Sequence, residues 1–389
     1  MGKKAVCLVL LALAALFLRA PSIAATTSSS AASSGDLSRY YEEEAKESGA
    51  DRLEDKLPED TQKILKELGV DGSDWGSIAS VTPQNYFAKI LSVFAGKAKN
   101  PLRALASVTA VILLCALMDG LKLSFGEKPL GGVIGMVGTL CVCAIVVQPV
   151  VACISDASDV LKAGCDFLLA CVPVMVAVMA AAGQAVSAGS YHLLMVAVGN
   201  AVSIFATTIL VPMMNLFLAL SIVSSVSPSI SLGGLCNVLN KIVKWVMGLG
   251  MTLFTGLVTM HSLVAASQDS TAARAAKFVV GSFVPVVGNA LGEALNTVTS
   301  CVKMLKSGIG AFGLLAGLVI FLPVVAECVL WLLTLLLCSG IGQVFGLDGI
   351  TGLLKASADV VSTMLAVLFC CMAVLIISTV VMLLIGGMS

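Results

Sequence analysis

The chain has 389 residues; 58% are hydrophobic, 12% are charged, and mean hydropathy is +1.02. The charged share is about half the roughly 25% typical of soluble proteins, which excludes an ordinary soluble domain and a disordered chain alike. Formal net charge is zero, so no basic excess exists to neutralise phosphates and nothing points to nucleic acid.

Lys3 and Lys4 form a short basic region ahead of an apolar run at 5–18, and Ser22-Ile23-Ala24-Ala25 supplies small residues for cleavage. This is the layout of a signal peptide over 1–25, with an uncleaved anchor as the alternative. Either way, residues 26 to about 100 are expected outside the cytoplasm. Residues 26–34 are rich in Ser, Thr and Ala and read as a tether. The charged stretch 36–74 follows, with a helix expected near 38–55. A second helix starts at Leu57-Pro58-Glu59-Asp60, carries Ile64, Leu65 and Leu68 on one edge, and stops at Gly69.

Thr82-Pro83 begins another helix. Tyr86, Phe87, Ile90, Leu91 and Phe94 recur at helical spacing, and Lys89, Lys97 and Lys99 flank them. Two arrangements fit: a helix lying on the bilayer surface, or one docked on the protein's own spans. Asn100-Pro101 closes this element.

From residue 101 the chain is a series of apolar runs, and a span needs about 20 such residues. Candidate spans are 103–121, 131–154, 165–187, 191–211, 213–231, 242–266, 278–298, 309–338 and 359–386. Pro212 divides the long run 191–226. Gly281, Pro285, Gly288, Asn289, Gly292 and Glu293 interrupt 278–298, so a re-entrant or broken helix is the alternative there. The expected fold is an all-α polytopic bundle of eight or nine spans, in three regions: 1–25, 26–100 and 101–389. Lysines at 122–128, 241–244 and 303–306 suit cytoplasmic loops, whereas Asp156, Asp159 and Lys162 suit an outside one. Arg274 and Lys277 fall outside and disagree with that scheme.

Val198-Gly199-Asn200-Ala201 recurs as Val287-Gly288-Asn289-Ala290, a weak echo of the repeats seen in transporters. Gly131-xxx-Gly135 and Gly313-xxx-Gly317 read as close-packing motifs. The thirteen cysteines lie almost entirely in apolar runs, without the partners that zinc requires, and are expected to pack as small hydrophobes.

No catalytic, metal or cofactor motif is present. His192 and His261 are the only histidines and lack a matched acid. Glu327 is the foremost candidate. It lies in a long apolar run, where a charge costs at least about 2.5–3.5 kcal/mol, so it must be protonated, paired or wet. Pro323, one turn earlier, frees a carbonyl within its reach. Glu327 reads as an ion-coupling or pore-lining carboxylate, or as a neutral acid tying two helices. Asp119 and Asp166 lie near span ends, and Asn289, Glu293 and Asn296 form a polar stripe suited to a wet cavity, a subunit contact or an interfacial helix.

The layout of signal peptide, charged outer segment and Gly/Ser/Ala-rich membrane domain resembles the stage III sporulation protein AE family. More specific are the junction Leu68-Gly69-Val70-Asp71, Trp75, Ile78, Pro83, Phe87 and Ile90, and the run 106–122 ending Leu117-Met118-Asp119-Gly120-Leu121-Lys122. The resemblance implies a non-enzymatic membrane component of a sporulation channel or export complex. It further implies residence in the mother-cell membrane around the forespore, with an ATPase-like subunit and ring-forming subunits as partners and no cofactor. It carries over no site residues. An autonomous secondary transporter with Glu327 at its site is the alternative from the residues themselves.

Overall fold

The computed structural model describes residues 43, 45–70, 83–125, 131–181, 183–226, 233–283 and 288–385. For parts of these, chiefly 121–125, 131–133, 268–283, 288–304 and 381–385, it describes the backbone alone. The expected signal peptide, the tether and the junction residues 71–82 lie outside the described residues.

The helix expected near 38–55 stops at Ser48, where Gly49 takes a left-handed backbone (φ 75°). Two 3₁₀ turns follow, Ala50–Arg52 and Glu54–Lys56. Their tighter winding lines up residues three apart, and Ala50 and Leu53 are buried together. Helix α1, Glu59–Glu67, starts after Pro58, with acids in its first turn. It closes at Gly69: Val70 N–H donates to Leu65 O and Gly69 N–H to Lys66 O, both at 3.0 Å. Leu65 and Val70 are both buried at that cap, the apolar contact that accompanies this termination.

Helix α2, Pro83–Lys97, is followed at once by α3, Lys99–Phe125. The break falls at Ala98, so Asn100-Pro101 opens the next helix instead of closing this one; proline is tolerated in a first turn, where its missing N–H has no partner to lose. Both α1 and α2 pack on helix α8, Gly288–Val344. Of the two arrangements open for α2, this is the docked one: Tyr86 and Val93 pack against the core, while Leu91 stays 72% exposed.

The membrane domain continues with α4 (Gly131–Ala181), α5 (Ala185–Ile204), a π-helical turn (Phe205–Leu210), α6 (Val211–Val226), α7 (Gly233–Phe283), α8 and α9 (Asp348–Ile385). It is a helical membrane bundle. Among the described residues six stretches are long and apolar enough to cross a bilayer: Lys99–Gly120, Ile134–Ala181, Ala185–Ser225, Asn240–His261, Leu305–Val344 and Asp348–Val380.

Several expected loops are helical. Span 131–154 and span 165–187 as far as Ala181 share the 51-residue α4, about 75 Å long at 1.5 Å per residue. The charged stretch between them, read as an outside loop, continues the helix, and Lys162 pairs with Asp159 one turn back at 3.8 Å. Charge alone does not break a helix; hydropathy registers the polarity and not the backbone. Pro212 does not divide 191–226 either. The π-helical turn just before it, in which Val211 N–H reaches Ala206 O, opens the backbone where the proline ring would strike a carbonyl. Segment 278–298 is not a helix of its own: it is the end of α7 and the start of α8, with 284–287 outside the described residues. Residues 303–306, expected in a loop, lie within α8. The two echoed motifs also sit differently: Val198–Ala201 lie inside α5, whereas the described residues of the second, 288–290, open α8.

Helices α4, α8 and α9 form the centre, each packing on the other two. The α8–α9 register is antiparallel: Gly313 faces Thr379, Gly317 faces Leu375 and Gly342 faces Thr351. Helices α4 and α8 also run antiparallel, through Cys153–Cys328, Gly164–Phe321 and the edge-to-face rings of Phe167 and Phe312. Short turns enforce this. At Gly346 (φ 68°) the chain reverses from α8 to α9, with Leu347 N–H on Gly342 O and Gly346 N–H on Gln343 O, each at 3.1 Å. Gly183 ends α4 in the same way. A side chain in this left-handed conformation costs about 1–2 kcal/mol, so Gly346→Val should lower the midpoint of thermal unfolding in detergent; an unchanged midpoint contradicts the assignment.

Candidate functional site

The amphipathic pattern of α2 carries Lys97 to its last turn, and the packing of α2 on α8 brings that lysine to Glu327. Lys97 Nζ donates to Glu327 Oε2 at 2.8 Å. Glu327 is 22% exposed and Lys97 46%. The carboxylate's hydrogen bond holds the Lys97 ammonium above the ordinary lysine range, against a smaller opposing effect of burial. Of the states open to Glu327, the structure shows the paired one. Its partner is Lys97 on α2, and not the carbonyl freed by Pro323.

Asp156, half-buried on α4, lies within electrostatic range of both Glu327 and Lys97. Just inside this charged group, α3, α4 and α8 diverge around a cleft of about 410 Å³. Asn100, Arg103, Gln148, Pro149, Glu327 and Trp331 line it. A cleft of that size is within the range of small-molecule sites. Two other cavities, of about 20 and 10 Å³, hold one water at most.

A second polar link lies on the other half of α8. Lys306, 4% exposed, donates to Gln184 Oε1 at 3.4 Å, beside the turn that ends α4. Elsewhere Thr363 donates to Asn240 Oδ1 at 2.8 Å, tying α9 to α7. The outer segment is fastened separately by Lys89–Glu67 and by Lys66–Glu54 at 3.5 Å.

Asp119, Asp166, His192 and His261 do not line the cleft. Asp119 and Asp166 are exposed on α3 and α4. Asn289, Glu293 and Asn296 lie on the first turns of α8, and their side chains are outside the described residues. His192 and His261 are exposed on α5 and α7. Among the described residues no three metal-ligating side chains cluster. Six cysteines, at positions 115, 153, 165, 171, 328 and 338, are buried and form no disulfide. Sequence reasoning singled out Glu327 but missed its partner Lys97 and the cleft residues Arg103 and Gln148. Arg103 had a signal, being a lone cation just inside the first apolar run. Lys97 and Gln148 had none, because their significance lies in what packs opposite.

The sequence profile of stage III sporulation protein AE matches residues 76–386, from ahead of α2 to just past α9. The stage III sporulation protein AE of Bacillus subtilis (strain 168) is 25% identical over 281 residues, which is 70% of each chain. No solved structure matches. With its whole helical bundle and every residue of the cleft inside that match, the chain belongs to the stage III sporulation protein AE family, a family of sporulation proteins.

Proposed function

We propose that the chain is a non-enzymatic, multi-pass subunit of a channel or export complex in the mother-cell membrane around the forespore. The observation that carries this reading is the family match across the entire bundle. The architecture supports it. Helices of 51 and 57 residues, about 75–85 Å long, exceed a hydrocarbon layer of about 30 Å and leave length for contacts beyond it. Helix α7 exposes Trp245, Leu249, Leu253, Leu257 and Met260, an apolar face available to lipid or neighbouring subunits. The outer segment, fixed on α8, offers a charged surface to partners between the two membranes. The complex further includes an ATPase-like subunit, which supplies energy, and ring-forming subunits.

A clean deletion in a spore-forming host tests this. Arrest after engulfment is expected, with an epitope-tagged copy restoring spores, surrounding the forespore and recovering other channel subunits on purification. Normal spores from the deletion strain overturn the reading.

A further inference from the structure

The cleft between α3, α4 and α8 supports an inference that stands on the membrane bundle alone and does not need the channel reading. One charge in its lining is unanswered. Glu327 is held by Lys97, whereas the guanidinium of the exposed Arg103 has no ion pair or hydrogen bond among the described residues. Pro149 adds an unanswered acceptor. Proline has no N–H, so the carbonyl of Ile145, four residues earlier in α4, loses its helical donor, and both residues form the cleft wall. The amides of Asn100 and Gln148 stand beside them, and the floor includes the buried indole of Trp331. The site therefore offers a cation, two amides and a carbonyl that lacks its helical donor over an apolar base, beside the Glu327 carboxylate already held by Lys97.

Its position selects the ligand. Asn100 and Arg103 lie at the very start of the crossing stretch Lys99–Gly120, where a bilayer places its headgroups. Leu102, next to Arg103, is 59% exposed, and Leu113, Leu114 and Leu117 continue an exposed apolar surface down α3. A ligand with an anionic head and long apolar tails fits both surfaces at once. Glu327 is the acid in the cleft lining and Lys97 already holds it, so the lining offers no open carboxylate to a headgroup ammonium. A singly charged phosphodiester with free hydroxyls needs only Arg103 for its charge and the Ile145 carbonyl for a hydroxyl.

We propose that this cleft binds a phospholipid with a singly anionic phosphodiester and a hydroxyl-bearing headgroup. The phosphate sits on Arg103, a hydroxyl donates to the Ile145 carbonyl, and the acyl chains lie along α3. Arginine suits a phosphate because its planar fork supplies two parallel donors.

The test is native mass spectrometry of the full chain, released from detergent with defined lipids. The probes are dioleoyl phosphatidylglycerol, dioleoyl phosphatidylethanolamine and the soluble headgroup analogue glycerol phosphate. Wild-type protein should bind phosphatidylglycerol about tenfold more tightly than phosphatidylethanolamine, as expected for one charge-assisted contact. Arg103→Gln should remove that preference and Arg103→Lys should keep part of it. Equal binding of the two lipids by wild-type protein overturns the proposal and requires no variant to fold. Undiminished selectivity in Arg103→Gln overturns the assignment to this cleft. Glycerol phosphate binding as tightly as the lipid makes this a soluble-anion site and overturns the lipid identification. Each outcome is independent of the spore phenotype that tests the channel reading.

Discussion

Replacing Gly317 with leucine should eliminate most of the folded protein from the membrane. At this point α8 lies against α9 so closely that a Cβ on Gly317 would overlap Leu375 Cδ2, with Leu375 Cδ1 and Cγ at 3.2 and 3.4 Å. Leu375 is itself 5% exposed, so its side chain has little room to retreat. Overpacking a tight seam costs about 1–3 kcal/mol, and more when backbones must separate; a leucine here forces that separation. Marginal stability leaves little reserve against it. Gly135→Leu is the control, because nothing stands within 4 Å of a Cβ there and the change should stay within about 0.5 kcal/mol. Monodisperse yield by size-exclusion chromatography reads both. Equal yields for the two variants would show that the α8–α9 seam is not packed as described. Pairing Gly317→Leu with Leu375→Ala should recover part of the loss, because it returns space at the contact.

The Lys97–Glu327 pair should govern whether the outer segment stays docked. Lys97→Met leaves a half-buried carboxylate without its partner, and Glu327→Leu leaves a lysine against an apolar wall. Either should expose α2 and the segment before it to protease. Because Lys97 is nearly half exposed, solvent screening limits the loss to about 1 kcal/mol, enough for roughly a fivefold gain in the undocked fraction. The swap Lys97→Glu with Glu327→Lys should restore protection, whereas a purely steric role for either residue predicts no rescue. The pH dependence follows from the raised lysine value. Stability from a raised folded-state lysine is fully present below the unfolded value, about 10.4, and is lost as pH rises through the higher folded one. Docking should thus be insensitive to this lysine from about pH 6 to 9 and loosen only above about pH 10.4. Glu327→Gln separates this role from ion coupling: it keeps a hydrogen-bond acceptor for Lys97 but cannot carry a proton. Normal sporulation of Glu327→Gln would remove the transporter alternative.

What the sequence determined by itself is local in origin. Apolar runs of span length and scarcity of charge establish a helical membrane protein, and the run 106–122 with its junction points to the family later matched. The start and stop of α1 were legible as well, because proline and glycine act through their own backbone and their nearest neighbours. The tertiary structure decided what depends on distant partners. Lys97 and Glu327 are 230 residues apart, and no periodicity relates them. Loops placed by charge at 156–162 and 303–306 are helix, because a polar helical turn is stable once neighbouring helices or ion pairs satisfy it. Lys306 is buried for the same reason, since Gln184 reaches it across the α4–α5 turn. The cleft also belongs to this class: Asn100, Gln148 and Trp331 are ordinary residues in three separate helices, and only the divergence of those helices turns them into a site.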